Sequence, residues 1–320
     1  MREARPLSPA WLRAHPLPQP SEDDDKNARG QVLIVAGAGE MPGAALLSAV
    51  AALRAGAGKL QIATTAGAAP LVAGAVPEAR VVALPETRSG AFASSALTQL
   101  ARLGERADAV VVGPGLLEGP GMARMLARWL LTLPSIPVVI DAAALTALER
   151  GADAIAAAPL QRILTPHAGE AARLLRCERS EVIARPLELG IELATRFNAV
   201  CVMKGGTGYV IDARAVDAQS DDDRLLVNRY GNVGLATSGS GDTLSGIIGG
   251  LAARGATPFL AAAWGVYLHA AAGDALAARL GGPLGFLARE LLDEVPLLMN
   301  GAATRGTERR DGCVDRAAES

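Results

Sequence analysis

Thr237-Ser238-Gly239-Ser240-Gly241-Asp242 stands directly before an apolar run of helical character, Leu244 to Leu251. Glycines and small hydroxyl residues at a helix start leave backbone N–H groups unpaired, and the positive end of the helix adds to their pull on an anion. A phosphate is the anion this arrangement suits. Asp242 is the odd member, because a carboxylate beside phosphate is repelled unless it has a task. That task is to accept a proton from, or to orient, a hydroxyl next to the phosphate. The competing reading makes Asp242 a helix N-cap and Gly-Ser an ordinary turn, and the local sequence leaves both open.

Other stretches carry chemistry of the same kind. Lys204-Gly205-Gly206-Thr207-Gly208 follows a strand, Ala199 to Met203, and leads into its hairpin partner, Tyr209 to Asp212. A lysine at a strand end with glycine amides behind it suits a second phosphate contact. The spacing is not that of G-x-x-x-x-G-K-[ST], and a glycine-rich turn with a solvated lysine is the plainer alternative. In Thr165-Pro166-His167-Ala168-Gly169-Glu170, proline holds Thr165 extended, so His167 and Glu170 open the next helix with polar groups able to face a ligand. Gly113-Pro114-Gly115 and Asp141 each close a strand, as ligand loops or as a sharp turn and a helix cap. Gly37, Gly39 and Gly43 depart from G-x-G-x-x-G, and Lys59 to Thr64 lacks the acidic residue that would hold a ribose, which disfavours a dinucleotide-binding dehydrogenase. No metal site is expected, since His15 and His269 lie in the leader and in a late helix.

These loops need a frame, and the pattern supplies one. Short apolar runs at Gln31–Ala36, Lys59–Thr64, Arg80–Leu84, Asp108–Val112, Pro137–Asp141 and Ala199–Met203 alternate with helical segments. The helices fall at 44–55, 91–103, 121–133, 187–197, 241–254, 258–280 and 287–299. Strands apolar throughout, alternating with helices, predict a mostly parallel sheet covered on both faces, with the strand ends sharing one ligand-binding rim.

The chain of 320 residues is 50% hydrophobic but only 3% aromatic, so its core is built from Ala, Val, Leu and Ile. A formal charge of −2 without a basic run argues against nucleic acid as a partner. No apolar run reaches the roughly 20 residues of a membrane span, and residues 1–29 hold no signal-peptide core, so the cytoplasm is the expected compartment. Those residues read as an irregular, proline-broken leader with a solvated acidic run, Glu22 to Asp25; residues 30–300 read as one domain, and 301–320 as a disordered tail. Cys177, Cys201 and Cys313 lie far apart and read as structural thiols.

In this order the loops resemble the ADP-dependent NAD(P)H-hydrate dehydratases, a branch of the ribokinase-like superfamily. The resemblance rests on Lys26 and Gly30, Met41-Pro42-Gly43-Ala44-Ala45, Gly113 to Leu116, Asp141 with Leu145, and Thr165 to Glu170. It continues through Lys204-Gly205, Gly231-Asn232, Gly239 to Asp242 and Tyr267-Leu268-His269. It implies a ribokinase-like three-layer α/β sandwich and the ADP-dependent dehydration of NADHX and NADPHX to NADH and NADPH, with AMP, phosphate and Mg2+. ATP is the alternative donor. By the same resemblance, Ala44, Gly115, His167 and Asp242 contact the hydrate, with Asp242 taking the hydroxyl proton. Lys204, Gly205, Gly206, Thr207, Gly208, Gly239, Ser240 and Gly241 serve the nucleotide and its transferring phosphoryl. Its place at a helix start is expected to keep Asp242 ionised. The family implies a homotetramer, and the 29-residue leader is too short for the epimerase domain of fused members, so that enzyme is expected as a separate protein. Ala168 stands where the family has proline, a change expected to leave His167 in place. The alternatives are a ribokinase-like kinase of a vitamin precursor, of the hydroxymethylpyrimidine or hydroxyethylthiazole type, and a non-catalytic nucleotide sensor.

Overall fold

Runs of aliphatic and β-branched residues bounded by glycine or proline become the ten strands of one sheet, in a computed structural model that describes residues 3–19, 21, 26, 28–215 and 224–304. In chain order these are β1 (Arg5–Pro6), β2 (Gln31–Val35), β3 (Lys59–Thr65), β4 (Arg80–Leu84), β5 (Ala109–Val112), β6 (Pro137–Ile140), β7 (Gln161–Leu164), β8 (Ala199–Met203), β9 (Gly208–Asp212) and β10 (Leu225–Asn228). Their spatial order is β4-β3-β2-β5-β6-β7-β8-β9-β10-β1. Every pair from β4 to β8 is parallel; β9 runs antiparallel to β8 and β10.

Side chains alternate across the sheet, and both faces are buried. On β5, Val110 and Val112 join one core layer while Ala109 and Val111 join the other; β2 divides Leu33 and Val35 from Val32 and Ile34 in the same way. The first face is covered by α4 (Leu97–Gly104), α5 (Pro120–Leu130), α6 (Thr146–Ala157), α7 (Ala168–Leu175), α8 (Arg179–Ala184) and α9 (Pro186–Arg196). The second carries α1 (Pro9–Ala14), α2 (Pro42–Arg54), α3 (Ala69–Ala75), α10 (Ser240–Ala253), α11 (Pro258–Leu280) and α12 (Leu291–Thr304). The result is the expected three-layer α/β sandwich.

The position of α10 fixes the site. It packs tightly against both α2 and the sheet because its glycines remove the side chains that would hold them apart. A Cβ on Gly246 would stand 2.2 Å from the Ser48 carbonyl oxygen, and one on Gly249 2.1 Å from a Val111 methyl. The chain lays β2, β3 and β4 toward one edge, then returns beside β2 as β5 and proceeds to the other. That reversal opens a crevice at the carboxyl ends of β2 and β5. Across it the Gly37 N–H donates to the Pro114 carbonyl at 2.8 Å.

The described residues at both ends hold more regular structure than their sequence suggests. The leader is not irregular: β1 pairs in parallel with β10, and α1 buries Trp11 and Leu12. Its prolines do not forbid a short helix, because Ser8 caps the helix through Trp11 N–H and Pro9 occupies the first turn, where no amide is needed. Arg254 and Trp264 tie the segment down by donating to the Pro18 and His15 carbonyls at 2.6 and 2.8 Å. At the other end α12 runs to Thr304, past the expected start of the tail at 301. The acidic run Glu22 to Asp25 and residues 305–320 lie outside the described residues. No helix among the described residues is long and apolar enough to cross a membrane.

Candidate active site

The start of α10 reaches the rim of the sheet. Gly239 is its N-cap with φ +86°, a left-handed conformation that favours glycine, and a Cβ there would stand 2.3 Å from a Leu47 methyl on α2. Asp242 is therefore not the cap; it is an acidic residue of the first turn. The Ser240 N–H reaches the Thr237 carbonyl at 3.3 Å, whereas the Gly241 and Asp242 amides have no acceptor among the described residues. They are the free donors a phosphoryl group needs. The Ser240 hydroxyl is 2.9 Å from His269 Nε2, whose ring is buried. Burial, with a smaller contribution from Lys204, pushes the His269 pKa down to about 4 against an opposing Ser240 hydrogen bond, so the ring is neutral at working pH.

Beneath this loop lies a charged cluster. Lys204 leaves the end of β8, and its Nζ donates to Asp141 Oδ1 at 2.9 Å and lies 3.8 Å from Glu170 Oε2. Thr165 Oγ1 donates to the same Asp141 oxygen at 2.7 Å. Neither plain reading survives: the lysine side chain is only 21% exposed, and the Asp141 carboxylate makes no capping bond to the short helical turn that follows it. Nζ also lies 3.6 Å from where a Cβ on Gly241 would stand, which places the ammonium beside the start of α10. Burial lowers the pKa of Lys204, but Asp141, Glu170 and Asp242 outweigh it and hold the group above its ordinary value, so it stays cationic.

Asp242 is ionised at neutral pH, as expected, but it is a stronger base than its helix start alone would make it. Burial first, and the Asp141 charge second, push its pKa up to about 6 against the pull of Lys204. The helix start does not keep it an ordinary carboxylate, because desolvation outweighs the helix dipole. Asp242 is then mostly ionised at neutral pH and more basic than a solvated aspartate, which suits a proton acceptor.

His167 opens α7 as its N-cap. Its Nδ1 accepts from the Gly169 and Glu170 amides at 3.0 and 3.2 Å, while Glu170 Oε2 accepts from the His167 N–H at 2.8 Å. With Nδ1 an acceptor, the proton of the neutral ring sits on Nε2, on a side chain 60% exposed at the rim. Ala168 is the first helical residue after this cap. The Lys204 N–H donates to the Pro166 carbonyl at 3.0 Å, joining the two loops. Ala44, in the first turn of α2, faces Gly115, where an added Cβ would come within 2.6 Å of the alanine methyl. Gly113 has no room either, since its Cβ would meet the Asp141 carbonyl oxygen at 1.8 Å.

The fold thus gathers Asp141, His167, Glu170, Lys204 and the Gly239–Asp242 loop around one rim, and sets Ala44 against Gly115. Gly205, Gly206 and Thr207 form the exposed turn from β8 to β9. Sequence reasoning named Asp141 and Glu170 without joining them to Lys204, and gave His269 no work at all. No group of three His, Cys, Asp or Glu side chains among the described residues is placed to hold a metal ion.

A family model described as NAD(P)H-hydrate dehydratase matches residues 32–297. The ADP-dependent (S)-NAD(P)H-hydrate dehydratase of Xanthomonas campestris is 43% identical over 298 residues, which cover 92% of this chain and 96% of that protein. Its namesake from Neisseria meningitidis is 35% identical over 92% of this chain and 93% of its own. The ADP/ATP-dependent NAD(P)H-hydrate dehydratase of Bacillus subtilis, co-crystallized with ATP/Mg2+, is similar at a TM-score of 0.79 and 30% identity, over 94% of this chain and 100% of that one.

Proposed function

The chain belongs to the NAD(P)H-hydrate dehydratase family, and we propose that its rim uses ADP to return NADHX and NADPHX to NADH and NADPH, releasing AMP and phosphate. Hydroxide leaves carbon poorly and phosphate leaves well, so the ring hydroxyl is phosphorylated before it is eliminated. The hydroxyl oxygen bonds to the β-phosphorus of ADP as the bond to AMP breaks, and the hydroxyl proton passes to Asp242. The ring C–O bond then breaks with loss of phosphate and of a proton from the neighbouring carbon.

Each group has a part in this reading. The Gly241 and Asp242 amides, aimed with the α10 dipole, stabilise charge on the moving phosphoryl group. The Lys204 ammonium, anchored by Asp141, adds a fixed positive charge beside that loop, with Gly205 to Gly208, Gly239 and Ser240 along the nucleotide. Neutral His269 orients the Ser240 hydroxyl. Ala44, Gly115 and the Nε2 edge of His167 border the hydrate. Magnesium would travel on phosphate oxygens and water rather than in a protein cage, which suits a site with no set of three donor side chains among the described residues. On the same reading the enzyme is a cytoplasmic homo-oligomer, ATP can replace ADP, and a separate epimerase acts in the same pathway.

One observation carries the proposal: an aspartate of raised basicity, with pKa about 6, in the first turn of a helix whose leading amides are free. The test is to mix purified protein with NADHX and ADP and follow the near-UV absorbance of NADH together with AMP. Both are expected to rise in equal amounts. Phosphorylation of a vitamin precursor without recovery of NADH would overturn the reading in favour of a kinase, and nucleotide binding without either product would leave a sensor.

A further inference from the structure

A cleft of about 570 Å³ opens between the loop after β4 and the first three turns of α5, with Glu118 at the end of the 113–119 loop on its wall. It is a separate feature from the phosphoryl loop, and the two sides of its lining differ in character. Phe92, Met122 and Met125, all buried, give it an apolar floor. Arg124 and Arg128, one helical turn apart on the same face of α5, line it with cations. Both arginines are exposed and neither makes a salt bridge or side-chain hydrogen bond among the described residues. The Glu118 carboxylate on the same wall is paired instead with Arg173 of α7 at 3.2 Å. An apolar shelf beside two free guanidinium groups is the chemistry of a site for a flat base carrying a phosphate.

The cleft lies a short step along the chain from the proposed substrate site. Gly115 borders the hydrated ring in the reading above, and Glu118 is three residues further along the same loop, at most about 11 Å away in extended chain. A dinucleotide, two nucleosides joined through a pyrophosphate, is longer than that. We infer that this cleft receives the adenosine half of the hydrated dinucleotide, with the base on Phe92, Met122 and Met125, and that Arg124 and Arg128 bind the 2′-phosphate that distinguishes NADPHX from NADHX. The inference rests on the dehydratase reading for the identity of its ligand.

Two measurements test it. The first is the ratio of kcat/KM for NADPHX to that for NADHX in the wild type and in the double variant Arg124→Ala, Arg128→Ala. Loss of charge-assisted bonds to a phosphate is expected to lower the ratio about 10- to 100-fold. The second is calorimetric titration with adenosine 2′,5′-bisphosphate while saturating AMP fills the nucleotide loop. The wild type should bind and the double variant should not. An unchanged ratio, or equal binding by both proteins, would overturn the assignment. If the wild type turns over neither hydrate, the dehydratase reading falls by itself, and the titration still decides whether the two arginines hold a phosphorylated adenosine.

Discussion

Replacing Asp242 by asparagine is expected to abolish turnover and to raise the thermal stability of the protein. The side chain keeps its shape and loses only its capacity to ionise. Burial and Asp141 together lift the pKa from 3.8 to about 6 even with Lys204 opposing them. Ionised Asp242 therefore costs the fold on the order of 1–3 kcal/mol at neutral pH, once its partial exposure is allowed for. The sign follows from the direction of the shift. Below about 3.8 both folded and unfolded chains hold the proton and the cost is absent; it grows as pH rises and is complete above about 6. In a chain of this size the gain in Tm for Asp242→Asn should be on the order of 2–8 °C at pH 7.5 and should shrink toward zero near pH 4. Thermal scans of both proteins at the two pH values, in matched salt, measure it. AMP affinity should be largely retained while NADHX turnover falls by about two to four orders of magnitude. A lower Tm at pH 7.5, or the same difference at both pH values, would refute the argument that an uncomfortable carboxylate is held in place for its basicity.

Further expectations follow from the same cluster. The kcat/KM for NADHX, followed by phosphate release, should fall on the acid side with a midpoint near 6, to about one tenth of its plateau at pH 5; a profile flat to that pH would remove Asp242 from proton transfer. Lys204→Met should weaken ADP binding, move that acid limb to higher pH, and destabilise the fold by about 3–5 kcal/mol, because Asp141 is left buried without its cation. Urea unfolding measures the last of these, and a loss under about 1 kcal/mol would mean that the pair adds little. His167→Asn should preserve the cap of α7 and keep stability within about 0.5 kcal/mol, while His167→Ala should lose about 1 kcal/mol more. Both should raise KM for NADHX, and an unchanged KM would confine His167 to capping.

What could be read in advance was local. The alternation of apolar runs and helical segments placed β2 to β6, β8, β9 and most of the long helices, though not α6, because side-chain periodicity is written in neighbouring residues. The glycine-led start of α10 and the strand–proline–histidine opening of α7 were legible for the same reason, since a helix start is built from its own few residues. The prolines of the leader exclude a long helix, as expected, but the six-residue α1 fits between them because Pro9 follows a capping serine and stands where proline is tolerated.

The sequence by itself determined the sandwich, the loops and the residue types at the rim. Tertiary structure alone decided how they act on one another. Lys204 meets Asp141 across 63 residues of chain, and His269 reaches Ser240 across 29. The basicity of Asp242 comes from being enclosed beside a second carboxylate. Desolvation and charge–charge coupling belong to the enclosure that distant segments make together, and no window of neighbouring residues contains them.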